Sequence, residues 1–410
     1  MREIVVIGAG FGGINAAKEL AKDKELRVKL VDRRNYHLFQ PFLYQVATAG
    51  LSPADIAVPV RAFFRQDKNV EVILGEVEKI DPGKNDIVLK DNQRIHYDKL
   101  VMAAGAKNFI FNKDWEEHVC GLKSVSDALA MRKKILMAFE SAELENDSQK
   151  KKSLMSFVII GGGPTGVELA GAIAELARFS LVQDFRNINP SDARVVLIEA
   201  GERLLPSFHP SLSQRAKSDL EKLGVSVWLD SKVTKIEKNR VELGEDAINA
   251  HSIIWAAGVA AVDLAGQAGE SLEVDLQKGD RVQVNEYLRV KGAQDIYALG
   301  DMVYFDDHQL PGTASVAIQQ GKYLGRALRA LKEGKEPAGF RYKDKGQMAT
   351  IGRSKAVVQI RKLRLSGLLA WCMWVFIHIY FLIGFRNRVS VLLQWMWSYL
   401  TYKKGARIIN

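Results

Sequence analysis

The sequence predicts an α/β protein built from two separate parallel-sheet units and ending in a helical C-terminal segment. Three observations predict it. Residues 4–20 run from a wholly apolar strand pattern through a glycine-rich loop into a helix pattern rich in small residues. Residues 157–174 repeat that arrangement, and after residue 340 the chain becomes basic, aromatic and apolar. At 410 residues the chain is roughly two to three times the size of an ordinary domain, so more than one core is expected.

Composition excludes several classes. With 47% hydrophobic and 26% charged residues and a mean hydropathy of −0.08, the chain is neither a disordered polyelectrolyte nor a polytopic membrane protein. Its two cysteines, Cys120 and Cys372, form neither a CxxC nor a ligand cluster, so no metal site and no dithiol chemistry is expected, and a reducing compartment is.

The first strand pattern, Ile4-Val5-Val6-Ile7, reads as a strand buried on both faces and leads into Gly8-Ala9-Gly10-Phe11-Gly12-Gly13. Gly8 permits the tight turn, Gly10 lets a pyrophosphate approach the backbone at the helix N-terminus, and Gly13 lets the helix pack close to the strand. A second strand pattern ends at Asp32, 19 positions after Gly13, where a carboxylate accepts hydrogen bonds from an adenosine ribose. This is the pattern of a Rossmann-like dinucleotide-binding domain. The second copy is Gly161-Gly162-Gly163-Pro164-Thr165-Gly166, and its acid is Glu199 at the end of Val195-Val196-Leu197-Ile198. That acid trails Gly166 by 33 positions, which residues 179–193 explain as an inserted loop with Pro190 as a breaker. Two dinucleotide sites imply one tightly held redox group and one diffusing partner, since a simple dehydrogenase needs a single site.

These residues resemble the two-dinucleotide-binding flavoproteins related in fold to glutathione reductase. Val101-Met102-Ala103-Ala104-Gly105-Ala106 and Ile254-Trp255-Ala256-Ala257-Gly258-Val259 are similar to that family's paired strand-and-turn segments, and Asp295-Ile296-Tyr297-Ala298-Leu299-Gly300-Asp301 to its ribityl-binding segment. Within the family, residues 35–50 (Asn35-Tyr36-His37-Leu38-Phe39-Gln40 onward) and Ala314-Ser315-Val316-Ala317-Ile318-Gln319 resemble type II NADH:quinone oxidoreductases, the latter matching an AQxAxQ motif with Ser315 in place of its first Gln. The resemblance covers nearly the whole chain. It implies FAD in the first loop, NADH in the second, and a lipid quinone as the electron acceptor. It implies FAD contacts at Gly8, Gly10, Phe11, Gly12, Gly13, Asp32, Arg33, His37, Gln45, Thr48, Val77, Ala104, Gly105, Gly300 and Asp301. It implies nicotinamide-nucleotide contacts at Gly161, Gly163, Thr165, Gly166, Glu199 and Gly258. Glu168 resembles the family's carboxylate near nicotinamide and flavin, although an acid there is also what a helix dipole favours. Gln319 is the expected partner of a quinone carbonyl, with a plain flavin contact or a helix-surface role as the alternative. Glu199 is expected to prefer NADH by repelling a 2′-phosphate, with Arg203 partly offsetting it.

Residues 341–410 hold 13 Lys/Arg against one acid, Asp344, a local charge of +12 that leaves −2 for the first 340 residues. Four of seven tryptophans lie there too, so the expected partner is a membrane lipid surface and not nucleic acid. Residues 365–385 carry no Asp, Glu, Lys or Arg and are long enough to span about 30 Å of hydrocarbon, but basic residues flank both ends, which argues against a span. Residues 386–400 put Arg386, Ser390, Gln394 and Ser398 on one stripe, an amphipathic helix with a narrow polar face. The reading is two helices lying in one leaflet with Lys403, Lys404 and Arg407 at the headgroups; a single span and a homodimer contact are the alternatives. Because Met1-Arg2-Glu3 runs directly into the first strand, the cytoplasmic face of the inner membrane is the expected location.

The expected division is an FAD domain at 1–118 and 284–340, an NADH domain at 119–283, and a membrane-anchoring region at 341–410, with residues 146–153 as a solvated link. The tail is expected to be separable from the chemistry, so that removing it spares reduction of the flavin by NADH.

Overall fold

The computed structural model describes residues 2–305, 309–402 and 404–409. The chain forms two compact units, each assembled from three segments.

The first unit comprises Met1–Leu38, Val58–Phe109 and Val259–Asp344. Its centre is a five-stranded parallel sheet in the order Ile296–Ala298, Lys99–Met102, Glu3–Ile7, Arg27–Asp32, Val70–Leu74. The strand pattern read at residues 4–7 is fully confirmed: Ile4, Val5 and Val6 have no exposure. The helix Phe11–Leu20 crosses the long helix Ala314–Lys332 at unusually close range. Gly321 and Gly325 make this possible, because a Cβ at either would run into the backbone oxygen of Gly12 or of Ala16.

The second unit comprises Phe39–Ala57, Ile110–Gly258 and Lys345–Asn410. Its four-stranded parallel sheet runs Val225–Trp228, Arg194–Ile198, Ser156–Ile160, Ser252–Trp255. A three-stranded antiparallel sheet, Gln347–Thr350, Ala356–Ile360 and Leu363–Gly367, belongs to the same unit.

The first unit thus resumes at Val259, upstream of residue 284. The reason is long-range pairing, since Val259–Ala261 lies antiparallel to Ala106–Asn108. Residues 148–154 of the expected link form a short helix whose Asp147 cap accepts the backbone N–H groups of Gln149 and Lys150.

The tail departs from expectation in three ways. Residues 365–385 are not one helix: Leu363–Gly367 is a strand, Leu368–Phe381 a helix of 14 residues, and Gly384 at φ +89° starts the helix Phe385–Thr401. Among the described residues no helix is long and apolar enough to cross a membrane. Ser390 and Gln394 of the polar stripe of the last helix also point inward, while Arg386 is exposed. Ser390 Oγ and Gln394 Nε2 donate to the Asp55 carboxylate at 2.9 and 3.0 Å, and Val391 and Trp395 are buried beside them. The outer face is apolar, with Phe385 83% exposed, Trp397 59% and Leu400 76%. Finally, Lys404 turns to the carbonyls of Thr48 and Ala172 and Arg407 pairs with Asp184, so neither is available to headgroups. Both are drawn in by backbone carbonyls and an acid of their own unit. Lys403 lies outside the described residues. The exposed basic residues described in the tail are instead Arg341, Lys343, Lys345, Arg361, Lys362, Arg364 and Arg386.

Candidate functional site

Both glycine loops have the same construction. Gly8 at φ +99° and Gly161 at φ +112° adopt backbone forbidden to other residues, and a Cβ there would meet the backbone of Ala103 or of Ala256. A Cβ at Gly13 or Gly166 would collide with the carbonyl oxygen of Gly8 or of Gly161, which explains the tight helix seating. At Gly10 and Gly163 the opposite holds, because nothing lies within 4 Å of an added Cβ. Open space therefore stands over the N-cap of the helices Phe11–Leu20 and Pro164–Glu175, neither of which has a side-chain cap. Their first-turn N–H groups suit a pyrophosphate.

Each loop is braced by its acid. Asp32 Oδ2 accepts Ala9 N–H at 2.6 Å and Oδ1 accepts Arg34 N–H at 2.7 Å. Glu199 Oε2 accepts Gly162 N–H at 2.6 Å and Oε1 accepts Gly201 N–H at 2.8 Å. The insertion in the second copy leaves this geometry unchanged. Burial pushes the Asp32 carboxyl above its ordinary range, against the pull of those backbone N–H groups. The uncapped helices, open space and strand-end acids fit FAD in the first unit and a nicotinamide nucleotide in the second.

Around the first loop, His37 Nδ1 meets Ala9 O at 2.9 Å, and Phe11 and Phe63 stand edge-on to its ring at 4.9 and 5.7 Å. Burial pushes the imidazole down to about 4, so it is neutral, donating from Nδ1 and leaving Nε2 as a buried acceptor with no partner. Gly105, at φ +80°, turns the chain between two strands, with Ala104 before it. Gly300 N–H donates to Gln320 Oε1 at 2.7 Å, and the Arg281 guanidinium donates to the carbonyl oxygen of Asp301 at 3.1 Å. Val77 opens a strand of the same unit, and Arg33 is half exposed and pairs with Glu76 at 3.8 Å. Gln319 is committed elsewhere: its Nε2 donates to Ser315 Oγ and to Lys343 O, and its Oε1 accepts Lys343 N–H.

Gln320 and Arg281 escaped the sequence reading. Gln320 has no exposure and its Nε2 has no partner. The signal was its place beside Gln319 on an amphipathic helix, where one step rotates a side chain from surface to core.

Gln45 and Thr48 belong to the second unit, together with Glu168, Thr165 and Gly258. Thr165 is exposed in the first turn of Pro164–Glu175, and Gly258 sits at φ +134°. Thr48 Oγ1 donates to Tyr44 O, and Arg203 donates to Pro206 O at 2.9 Å, which ties its guanidinium to its own turn. Glu168 Oε1 accepts Thr350 N–H at 3.4 Å, and burial pushes its carboxyl up to about 8. Thr350 Oγ1 lies 3.3 Å from the Tyr44 hydroxyl, Gln45 Nε2 lies 3.1 Å from that hydroxyl, and Trp395 Nε1 lies 2.8 Å from Gln45 Oε1. A buried carboxyl that keeps its proton is suited to proton transfer.

The sequence matches the pyridine nucleotide-disulphide oxidoreductase family over residues 2–321 and the NDH2 C-terminal domain over residues 345–403. It is 40% identical over 419 aligned residues to the type II NADH:quinone oxidoreductase Ndh of Mycobacterium tuberculosis, covering 99% of this chain and 90% of that protein. It is 39% identical to NdhA of the same organism, covering 99% of this chain and 89% of the relative. The structure of NDH2 from Plasmodium falciparum in complex with NADH superposes with a TM-score of 0.90 at 22% identity, covering 100% of this chain and 99% of that one.

Proposed function

This chain belongs to the type II NADH:quinone oxidoreductase family, and from that premise we propose how its own residues divide the work of moving electrons from NADH to a membrane quinone. The enzyme is an FAD-dependent oxidoreductase that acts on quinone in membranes as a peripheral protein. The observation that carries the assignment of roles is the pair of glycine cradles, one in each unit, each braced by a strand-end acid on the matching loop N–H.

The first cradle, with Asp32 and Asp301, holds FAD, and the second, with Glu199, holds NADH. When bound, FAD supplies the redox chemistry, taking a hydride from NADH and returning its electrons to the quinone. The net reaction consumes one proton, because NADH, a quinone and H⁺ give NAD⁺ and a quinol. Glu168, carrying its proton up to about pH 8, donates that proton and regains it from solvent. Gln319 acts by pinning Lys343 and Ser315, which fixes the start of the helix Ala314–Lys332 at the quinone side.

The outward apolar face of Phe385–Thr401 lies in one leaflet, and Arg361, Lys362, Arg364 and Arg386 meet its anionic headgroups on the cytoplasmic side. A homodimer contact is the competing use of that face, and molecular mass in detergent decides between them. A sulfide-oxidising relative of this fold needs a cysteine pair, whereas Cys120 and Cys372 are both free thiols here.

Stopped-flow mixing tests the whole reading. NADH should bleach the bound flavin at once, NADPH far more slowly and sulfide not at all, and added quinone should restore the colour. Bleaching by sulfide, or no reoxidation by quinone, would overturn it.

A further inference from the structure

The two glycine loops hold the same residue at both ends, by different means. In the first, Asp32 Oδ2 takes the N–H of Ala9, and His37 Nδ1 meets the carbonyl oxygen of Ala9 at 2.9 Å. A carbonyl oxygen only accepts, so Nδ1 donates and the tautomer is fixed. In the second loop Gly162 stands at the matching position. Glu199 Oε2 takes its N–H, and the backbone N–H of Leu205 donates to its carbonyl oxygen at 2.8 Å.

Neither carbonyl bond is made in easy circumstances. Leu205 delivers its N–H from φ +50°, left-handed backbone that is unfavourable for a leucine. The turn comes in close there, since a Cβ at Gly162 would stand 2.7 Å from Leu204 Cδ2. Ala9 has that carbon, and in the first loop a side chain supplies the donor instead. His37 does so from a buried place where its Nε2 finds no partner. A bond kept in both loops by two unrelated and unfavourable routes points to a requirement that both sites share.

Peptide geometry supplies the requirement. In a trans peptide the C=O and the following N–H point in opposite directions, so holding the Ala9 carbonyl fixes the N–H of Gly10, and holding the Gly162 carbonyl fixes that of Gly163. Among the described residues neither N–H has a partner, and each belongs to the N-cap of an uncapped helix. We propose that His37 is a positioning residue of the FAD site: its imidazole locks the Ala9–Gly10 peptide so that the Gly10 N–H stays aimed at the pyrophosphate, the task that the Leu205 backbone performs in the other loop. The inference rests on the reading that the first cradle holds FAD.

Asparagine carries its amide nitrogen where Nδ1 stands, and leucine has nearly the same shape with no donor. Equilibrium dialysis of the holoenzyme measures FAD affinity, and phosphorus NMR of the loaded protein reads the pyrophosphate. His37→Leu should bind FAD about 3- to 10-fold more weakly, the range of one hydrogen bond, and should move the phosphorus resonances. His37→Asn should restore both, whereas a merely structural role would leave the resonances of the loaded protein in place. Parental affinity or unmoved resonances in His37→Leu would overturn the inference. So would an equal loss in His37→Asn, which lacks the counterpart of Nε2 and would thereby assign the effect to that atom. Should His37→Leu not fold, His37→Phe refills the ring's place beside Phe11 and Phe63 without a donor and carries the same test.

Gly10→Val separates this inference from the reading beneath it. A Cβ at Gly10 meets nothing within 4 Å in the protein but enters the space assigned to the pyrophosphate, so FAD should be lost. Full retention of FAD would remove the first cradle as its site and the inference with it. Loss of FAD in Gly10→Val beside parental behaviour of His37→Leu would remove the role of His37 alone.

Discussion

Glu199 Oε2 accepts the backbone N–H of Gly162 at 2.6 Å, so the acid we assign to the ribose also braces the loop we assign to the pyrophosphate. Substitution therefore has two separable effects. Glu199→Gln keeps one oxygen acceptor while removing the negative charge, and should narrow the NADH over NADPH preference by about tenfold, the scale of one charge interaction. Arg203 is tied to Pro206 and offers little help to a 2′-phosphate. Glu199→Ala should also weaken binding of both nucleotides, because the loop loses its brace. The ratio of kcat/KM values is the measurement, and an unmoved ratio in Glu199→Gln would count against the second cradle.

Flavin retention is expected to depend on the turn Gly300–Met302, to which we assign the ribityl contact. Asp301→Ala removes a charged acceptor for a ribityl hydroxyl, a contribution of about 1.5–3 kcal/mol, and FAD should bind about 10- to 100-fold more weakly. Gln320→Leu should act in the same direction by releasing Gly300 N–H. The flavin-to-protein ratio after gel filtration reads both, and full occupancy in Asp301→Ala would exclude the ribityl contact.

Glu168 makes stability depend on pH. Its carboxyl titrates near 8 in the folded chain against an ordinary value of 4.5. Between those limits the folded state holds a proton that the unfolded state has released. Stability from this group is complete below about pH 4.5 and is lost as pH rises through 8. Glu168→Gln cannot lose a proton, so its melting temperature should fall less than the parent's between pH 6 and pH 9. Parallel curves would show that the carboxyl is not buried as described.

The outer face of the last helix can be altered without touching its inner bonds. Replacing Leu393, Met396 and Trp397 together by Ser removes three exposed apolar side chains, each worth about 1.5–3 kcal/mol when buried in an apolar environment. Affinity for anionic vesicles should drop on the order of 100-fold or more, while reduction of a soluble acceptor is retained. Reduction of a long-chain quinone in the same vesicles should fall with binding. Truncation after residue 340 is a poorer experiment than the sequence suggests, because it removes Thr350 from Glu168 and Trp395 from Gln45.

The glycine loops were legible because strand, loop and helix are contiguous, and the pattern of apolar and small residues is local. Asp32 and Glu199 followed from strand ends, and even the insertion before Glu199 did not hide it. What the sequence could not show is which side of an amphipathic helix faces in. Ser390 and Gln394 mark a stripe on a helical wheel, and only Asp55, more than 330 positions earlier, makes that stripe the inner one. Thr350 escaped notice for the same reason, being 182 positions from its partner Glu168. Lys404 and Arg407 look like headgroup ligands in a basic tail until the carbonyls of Thr48 and Ala172 and the acid Asp184 take them.

Asp55 has a cost that appears before the enzyme ever meets a lipid. By binding the polar stripe of the last helix, it commits each newly made molecule to present Phe385, Leu393 and Trp397 to water. Two fates then compete for every nascent molecule, adsorption to a bilayer and clumping with its siblings, and their relative speeds set the yield. Overproduction outruns the available bilayer area and should fill inclusion bodies with chains whose nucleotide folds are sound. Extra membrane or a mild detergent during synthesis should rescue them, whereas a slower temperature alone should help only as far as it lets adsorption keep pace.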